Sequence, residues 1–381
     1  MFKRFGFKQQ IKSVSPGVIA WQRFRKDKLA MSGLVFIAFT CLIALAGNFV
    51  RPDSSPDANM MNLPLSLQKP GFETQMIKVR FDEQTEKQHI FRRYWNGKHL
   101  DYKEIAIKEA SLVNNTIQFI PIDALPETQA VELEISHLIG KGNENSSVEN
   151  FIYKKTFLLG TDKYGRDMLS RLLAGTRISL SVGLIAVLLS LIIGLSLGAL
   201  AGYFRGKTDS FIMWLINVVW SVPTLLLVIA ITLVLGKGFW QIFVAVGLTM
   251  WVEVARVVRG QVLSLREKEF IEAGKALGFR DFRIIKNHVI PNVFGPVIVI
   301  SAGNFASAIL IEAGLSFLGI GAQPPLASWG GMIKEHYGYI IMDGAYLAII
   351  PGLAIMLLVL AFMLVGNGLR DALDIREIKH T

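Results

Sequence analysis

Residues 178–202 read ISLSVGLIAVLLSLIIGLSLGALAG, 25 positions without one charged side chain. As an α-helix that run would rise about 37 Å, more than the roughly 30 Å hydrocarbon core of a bilayer. Five more apolar stretches lie near 32–50, 211–235, 239–258, 292–315 and 345–367. A composition that is 52% hydrophobic and only 18% charged agrees with a membrane protein. The pattern predicts an all-α integral membrane protein of about six transmembrane helices. A polar block, 51–157, separates the first span from the rest.

The first long run leads into AGYFRGKTD, 201–209, whose Gly206-Lys207-Thr208 ends as a nucleotide-binding P-loop ends. A P-loop needs a glycine five positions before the second one, and Ala201 stands there. Gly202 leaves only three residues between, and a membrane helix precedes the loop in place of a strand. The stretch reads as a short basic connection between two spans.

The net charge of +10 raises nucleic acid as a partner, but its distribution argues for a membrane surface. Residues 1–30 hold eight Lys/Arg against Asp27 alone, and 256–290 hold eight more. Arg205 and Lys207 add to the same side, as do Arg370, Arg376 and Lys379, whereas the opposite short loops carry only Lys237 and Lys334. This positive-inside bias predicts both termini in the cytoplasm. Residues 51–177 balance 17 basic against 17 acidic side chains. Long loops escape the rule, so alternation of the spans places the block outside. Cys41, the one cysteine, sits inside the first span and rules out an internal disulfide. Ala44-Leu45-Ala46 resembles a signal-peptidase site, but the 19-residue apolar stretch is too long for a signal peptide and reads as an uncleaved anchor.

Within the polar block, Pro52, Pro56 and Pro64 suggest a linker leaving the membrane. QMIKVRF and TIQFIPI alternate as half-buried strands do, and Asn96-Gly97 has the chemistry of a tight hairpin turn. GKGNENSS, 140–147, reads as a flexible turn. A small, mostly β extracytoplasmic domain is the expectation. Beyond it, GTDKYGRDMLSRLLAGTRISL offers a turn at Thr161 or Asp162, tight geometry at Gly165 and a helix start at Asp167.

No catalytic or metal-ligating constellation emerges. His89, His99, His137, His288, His336 and His380 are scattered, without H-E-x-x-H or any close ligand pair, and no G-x-S-x-G elbow is present. Pro223 predicts a kink in the third span, either for local packing or to line a pathway. Glu253 and Arg256 mark the inner end of the fourth. Glu312, an ionisable residue inside the fifth, is a candidate for gating or for a hydrogen-bonded structural role.

The segment EFIEAGKALGFRDFRIIKNHVIPN, 269–292, carries the functional signal. Phe270 to Leu277 is helical and ends at Gly278. A second short helix is expected from Asp281 to Val289, stopped by Pro291. Two capped helices meeting at a glycine make a compact knob, and Ala273 and Gly274 are small enough for a partner to approach. Glu272-Ala273-Gly274, then Gly278, then His288-Val289-Ile290-Pro291 resembles the EAA loop of bacterial ABC importer permeases. That pattern is E-A-A, three residues, G, nine residues, I-x-L-P; here Gly274 replaces the second alanine, His288 the isoleucine and Ile290 the leucine. RFRKDKLAMSGLVFI, LGTDKYGRDMLSRLLAGTRISLSVGL, LSFLGIGAQPPLASWGGMI and GNGLRDALDIR are similar to the C-type subunits of dipeptide and oligopeptide permeases. The resemblance covers about 21–50 and 158–376 and leaves out most of 51–157.

The resemblance implies a type I ABC importer permease of the bacterial inner membrane, whose translocation pathway carries di- or oligopeptides. Nickel or metal-chelate import is the alternative, and a secondary transporter or channel is a different class. It implies as partners a second homologous permease subunit, two ATP-binding cassette ATPases and an extracytoplasmic substrate-binding protein, in contact with membrane lipid and no nucleic acid. ATP and Mg belong to the ATPases, so this chain needs no cofactor and is not itself an enzyme. The division expected is a cytoplasmic segment 1–30, a first helix 31–50, the insertion 51–157, a permease domain 158–368 with its coupling loop 263–291, and a cytoplasmic tail 369–381. The residues implied for ATPase coupling are Glu272, Ala273, Gly274, Gly278, His288, Ile290 and Pro291; the substrate-binding residues are not legible.

Overall fold

The computed structural model describes residues 16–81, 89, 93–94, 97–113, 116–125, 129–139, 148–236 and 238–374. The leader before residue 16, Asn96, the 140–147 turn, Lys237 and the tail beyond 374 lie outside the described residues.

A short helix α1 (Pro16–Phe24) precedes α2 (Lys28–Ala46), whose N-cap Asp27 accepts hydrogen bonds from the Leu29 and Ala30 N–H groups. Between them and the next long helix stands a five-stranded antiparallel sheet in the order β4-β3-β2-β1-β5. Its strands are β1 (Phe72–Arg80), β2 (Tyr102–Val113), β3 (Thr116–Pro121), β4 (Val131–Glu134) and β5 (Ile152–Phe157). Alternation decides its faces: Ile77, Ile107, Ile117 and Phe119 form one buried layer, while Met76, Ala106 and Phe157 meet Leu65 on the other. The tight hairpin expected at Asn96-Gly97 is not how β1 and β2 connect, since β1 ends at Arg80 and β2 begins at Tyr102. Gly97 does take a positive φ of 92°, inside that long connection.

The proline-rich stretch is not a free linker. Asp53 and Leu65 are buried, and the Asp53 N–H donates to Ser170 Oγ at 2.8 Å. Thr161 N–H donates to the Gln68 carbonyl at 3.0 Å, and Tyr346 Oη–H donates to the same carbonyl at 2.8 Å. Buried backbone groups need such partners, and the 159–167 turn supplies them. The insertion is therefore seated on the helices that follow it.

The helical body comprises α3 (Met168–Phe204), α4 (Gly206–Trp220), α5 (Thr224–Leu235), α6 (Phe239–Arg266), α7 (Glu269–Ala276), α8 (Asp281–Ile284), α9 (Ile290–Phe317), α10 (Trp329–His336) and α11 (Tyr346–Leu373). Asp167 caps α3, its carboxylate accepting from the Ser170 N–H at 2.8 Å. Among the described residues, five helical stretches are long and apolar enough to cross a membrane: Lys28–Phe49, Met168–Phe204, Phe239–Arg266, Asp281–Phe317 and Tyr346–Leu373. The expected single span at 211–235 is instead the pair α4 and α5, bent by 89°. Pro223 breaks the helix outright. It disfavours helical geometry at Val222, lacks an N–H, and takes an extended ψ of 127° as the residue preceding α5.

The most extensive helix–helix contact among the described residues joins α3 to α6. Gly194, Gly198 and Gly202 line one stripe of α3, and a Cβ built on them would fall 2.5, 2.5 and 2.7 Å from Val254, Ala255 and Val262 respectively. Small residues four apart let two backbones approach closely. Around this pair, α9 packs on α3 and α11, and α2 packs on α11.

Candidate functional site

The knob is built on the ends of α3 and α6. Ile271 of α7, Ile284 and Ile285, and Val289 share one buried cluster with Ala199 and Tyr203 of α3 and Val258 and Val262 of α6. Gly278 joins the two arms with φ +75°, and nothing lies within 4 Å of the Cβ it lacks. Glycine is needed there for conformation, since space is ample. Tyr203 Oη–H donates to Asp281 Oδ1 at 2.7 Å, tying the second arm to α3. The Phe279 and His288 rings stack with centroids 6.4 Å apart, and the Arg283 guanidinium lies 4.5 Å from the Phe279 centroid.

Glu272 and Ala273 are exposed, whereas Gly274 is buried, its missing Cβ directed toward Phe279 and Ile284. Only one of the two small residues therefore presents an open surface. Gly278 and Pro291 are exposed, and His288 and Ile290 are half-buried. The outer face also carries Leu277 and Phe282, 73% and 75% exposed, a pair of apolar side chains that the motif does not name.

Pro291 does not stop the second arm. The chain passes through a π-helical turn, Ile285–Val289, directly into α9, with the Ile290 N–H donating to the Ile285 carbonyl. The wider turn and the position of Pro291 in the first turn of α9 remove the usual clash. Asp281 likewise opens α8 without acting as its cap; the N-cap is Arg280. The second arm is thus the beginning of a span, and a push on the knob is a push on α9.

Pro223 and Glu312 belong elsewhere. Pro223 lies exposed at the α4–α5 corner. Glu312 is 22 residues beyond Ile290 on α9, roughly 33 Å along the helix from the knob. It is buried, and Ser316 Oγ–H donates to its Oε1 at 2.7 Å. Ser316 Oγ in turn accepts from the Ala322 N–H at 3.2 Å and meets Ser328 Oγ at 3.2 Å, so Glu312 anchors the turn between α9 and α10. Arg256, near the end of the fourth span, lies 3.5 Å from the Trp220 ring centroid, and Glu253 is exposed.

At the insertion end lies an ion cluster that the sequence reading passed over. Asp162 Oδ1 accepts from the Tyr164 and Arg166 N–H groups at 2.8 and 3.0 Å, and Oδ2 accepts from Arg166 Nε at 2.6 Å. Arg166 Nη2 also donates to Glu335 Oε2 at 2.7 Å. Asp162, Glu335 and His336 bring ligand atoms within 4.8 Å of one another, but Arg166 already bonds both carboxylates. Burial pushes the His336 imidazole below its ordinary pKa, against the opposing pull of the Met332 carbonyl, Asp162 and Glu335. The signal in the sequence is the pair Arg166 and Arg171, five residues apart, which becomes meaningful only when α10 arrives beside it.

These features have relatives. The family model for the binding-protein-dependent transport system inner membrane component matches residues 194–379, and that for the N-terminal TM domain of oligopeptide transport permease C matches 15–70. The dipeptide transport system permease protein DppC of Lactococcus lactis subsp. cremoris is 32% identical over 357 residues, 94% of this chain and 90% of its own. The chain belongs to this permease family. Glutathione transport system permease protein GsiD of Pectobacterium atrosepticum is 43% identical over 216 residues, 57% of this chain and 71% of its own. DppC of Alkalihalophilus pseudofirmus is 42% identical over 215 residues, 56% and 70% of the two chains. The chain is accordingly a multi-pass inner-membrane permease of the ABC importer type, with a small antiparallel sheet inserted after its first helix. The lactococcal match spans nearly the whole chain, so the likeness extends into 51–157, which the expected resemblance left out.

Proposed function

We propose that this permease forms, with a second homologous permease, the pathway of a peptide importer, and that its knob docks into one of two cytoplasmic ATPases. The observation that carries this is the two-armed knob, which presents Glu272, Ala273, Leu277 and Phe282 outward while its second arm continues into α9. ATP and Mg act on the ATPases. Closure of the ATPase pair moves the knobs, and the motion passes as rigid-body rearrangement along α9 and the α3–α6 pair. The chain itself makes and breaks no covalent bond. The relatives named above are transporters of dipeptides and of glutathione, itself a tripeptide, which favours peptides over nickel. In this orientation the knob and both termini face the cytoplasm, and the insertion faces outward, where a substrate-binding protein docks.

The test separates shape from charge. Gly278→Val forces a β-branched residue to a φ of +75°, and Ala273→Trp places bulk on the exposed face. Both variants should reach the membrane at normal abundance, lose peptide uptake and carry less co-purified ATPase. Lys275→Ala should be mild, since among the described residues this exposed charge touches only the Tyr203 ring, at 5.3 Å from its centroid, a contact worth about 1 kcal/mol or less. Normal uptake with both bulky variants would reduce the knob to an ordinary loop.

A further inference from the structure

Between the start of α3 and α10 lies a cavity of about 210 Å³ at the insertion end of the helices. Lys163, Arg171, Ser316, Gln323, Lys334 and Glu335 are among its walls, so three cations face one carboxylate. Arg171 is only 2% exposed, yet its Nε and Nη1 have no hydrogen-bond partner among the described residues. Its nearest carboxylates are distant, Asp162 Oδ2 at 3.7 Å from Nε and Glu335 Oε2 at 4.0 Å from Nη2. Both oxygens are already engaged by Arg166, at 2.6 and 2.7 Å.

A buried guanidinium with unpaired donors is costly, because its lost hydration is not replaced. Arg166 makes short bonds to both carboxylates, whereas Arg171 has only the two longer ion pairs and no hydrogen bond at Nε or Nη1. Gln323 donates its amide N–H groups to the Gly319 and Gly321 carbonyls, at 3.2 and 2.8 Å, and its Oε1 does not reach Arg171 Nε or Nη1. Lys334 Nζ lies over Gly319, 2.2 Å from where a Cβ on that glycine would stand, so a second cation leans across the same space. Lys163 Nζ is 4.8 Å from the Tyr164 ring centroid, at the rim.

We infer that this cavity is a subsite for a small carboxylate, held by the planar fork of Arg171 with Lys163 and Lys334 as flanking charges. A guanidinium matches a carboxylate through two parallel hydrogen bonds, and a site with surplus positive charge favours one negative group. The neighbouring Glu335 disfavours a dianion. That the carboxylate is the C-terminus of a peptide rests on the importer reading above; the anion site itself does not.

The test uses the full chain in lipid nanodiscs, with dialanine, dialanine amide and inorganic phosphate as probes at constant ionic strength. Thermal midpoint and ligand-observed NMR report binding. Dialanine should bind saturably and the amide at least tenfold more weakly. The double variant Lys163→Gln, Lys334→Gln should weaken dialanine at least tenfold and leave the amide unchanged; Arg171→Gln should abolish the preference. The double variant keeps the measurement decisive if Arg171→Gln does not fold. Equal binding of dialanine and its amide, no saturable dialanine binding, or tighter binding of phosphate would overturn the inference. Uptake by the assembled complex is measured separately. Peptide uptake without carboxylate preference in the chain sinks the subsite alone, whereas carboxylate binding in the chain without peptide uptake sinks the peptide reading and leaves the subsite standing.

Discussion

Gly198 is the position at which the α3–α6 contact is most directly testable. A Cβ there would stand 2.5 Å from the Ala255 carbonyl oxygen, 2.8 Å from Val258 Cβ and 3.0 Å from Ala255 Cα. Carbon atoms rest at about 3.5–4.0 Å, so Gly198→Ala requires the helices to part by roughly 1 Å. Overpacking of that kind costs about 1–3 kcal/mol. Against it stands the gain in helix propensity from glycine to alanine, about 1 kcal/mol. The net loss expected for Gly198→Ala is therefore about 0–2 kcal/mol, and Gly198→Val, with a bulkier branched side chain and no such gain, should lose about 3 kcal/mol. Because the closest atom is a backbone oxygen, Val258→Ala should restore only part of the loss. Gly260, on α6, has nothing within 4 Å of its missing Cβ, so Gly260→Ala should hold or raise stability. The assay is the thermal midpoint of the purified chain followed by tryptophan fluorescence, at roughly 2–4 °C per kcal/mol for a unit of about 200 residues. The same cluster seats Ile271 and Ile284, so Gly198→Val should also weaken ATPase co-purification. A wild-type midpoint for Gly198→Val, or an equal fall for Gly260→Ala, would refute close backbone approach as the basis of the contact.

Gly165 has φ +71°, and a Cβ there would lie 1.7 Å from the Asn62 carbonyl oxygen. Gly165→Ala should therefore unseat the 51–69 segment at a cost of several kcal/mol, on the order of 3 or more, read as new proteolytic cleavage between residues 51 and 69; resistance equal to wild type would contradict the seating described. His336 provides a pH test. Burial lowers its pKa in the folded chain, so it contributes stability above the ordinary histidine value of about 6.5 that is lost as pH falls below it. The thermal midpoint should drop between pH 7 and pH 5, and His336→Gln should flatten that drop; an unchanged slope would remove the histidine from the account.

The helical membrane architecture was legible because apolar runs such as 178–202 are a one-dimensional property, set by bilayer thickness. The turn at Thr161 to Asp167 and the glycine between the knob's arms were legible too, since capping and positive φ are local chemistry. Asp281 opens the second arm as expected, but the bond its carboxylate makes, to Tyr203 78 positions away, has no local signature. Pro291 was read as a stop because a proline usually is one; the π-helical turn before it, which lets the helix continue, has no sequence signature of its own.

Sequence by itself determined five of the spans, the sheet's alternation and the knob pattern Glu272 to Pro291, each of them written in one continuous stretch of chain. Tertiary structure alone decided that Pro223 breaks a span by 89°, that the 51–69 segment is seated rather than free, and that Gly274 faces inward. It alone placed Glu335 beside Arg166 and left Arg171 without a close partner. Hydrogen bonds and ion pairs act over a few ångströms, and partners here lie far apart along the chain, 169 residues for Arg166 and Glu335 and 278 for Tyr346 and Gln68, a distance across which sequence carries no record of contact until the helices pack.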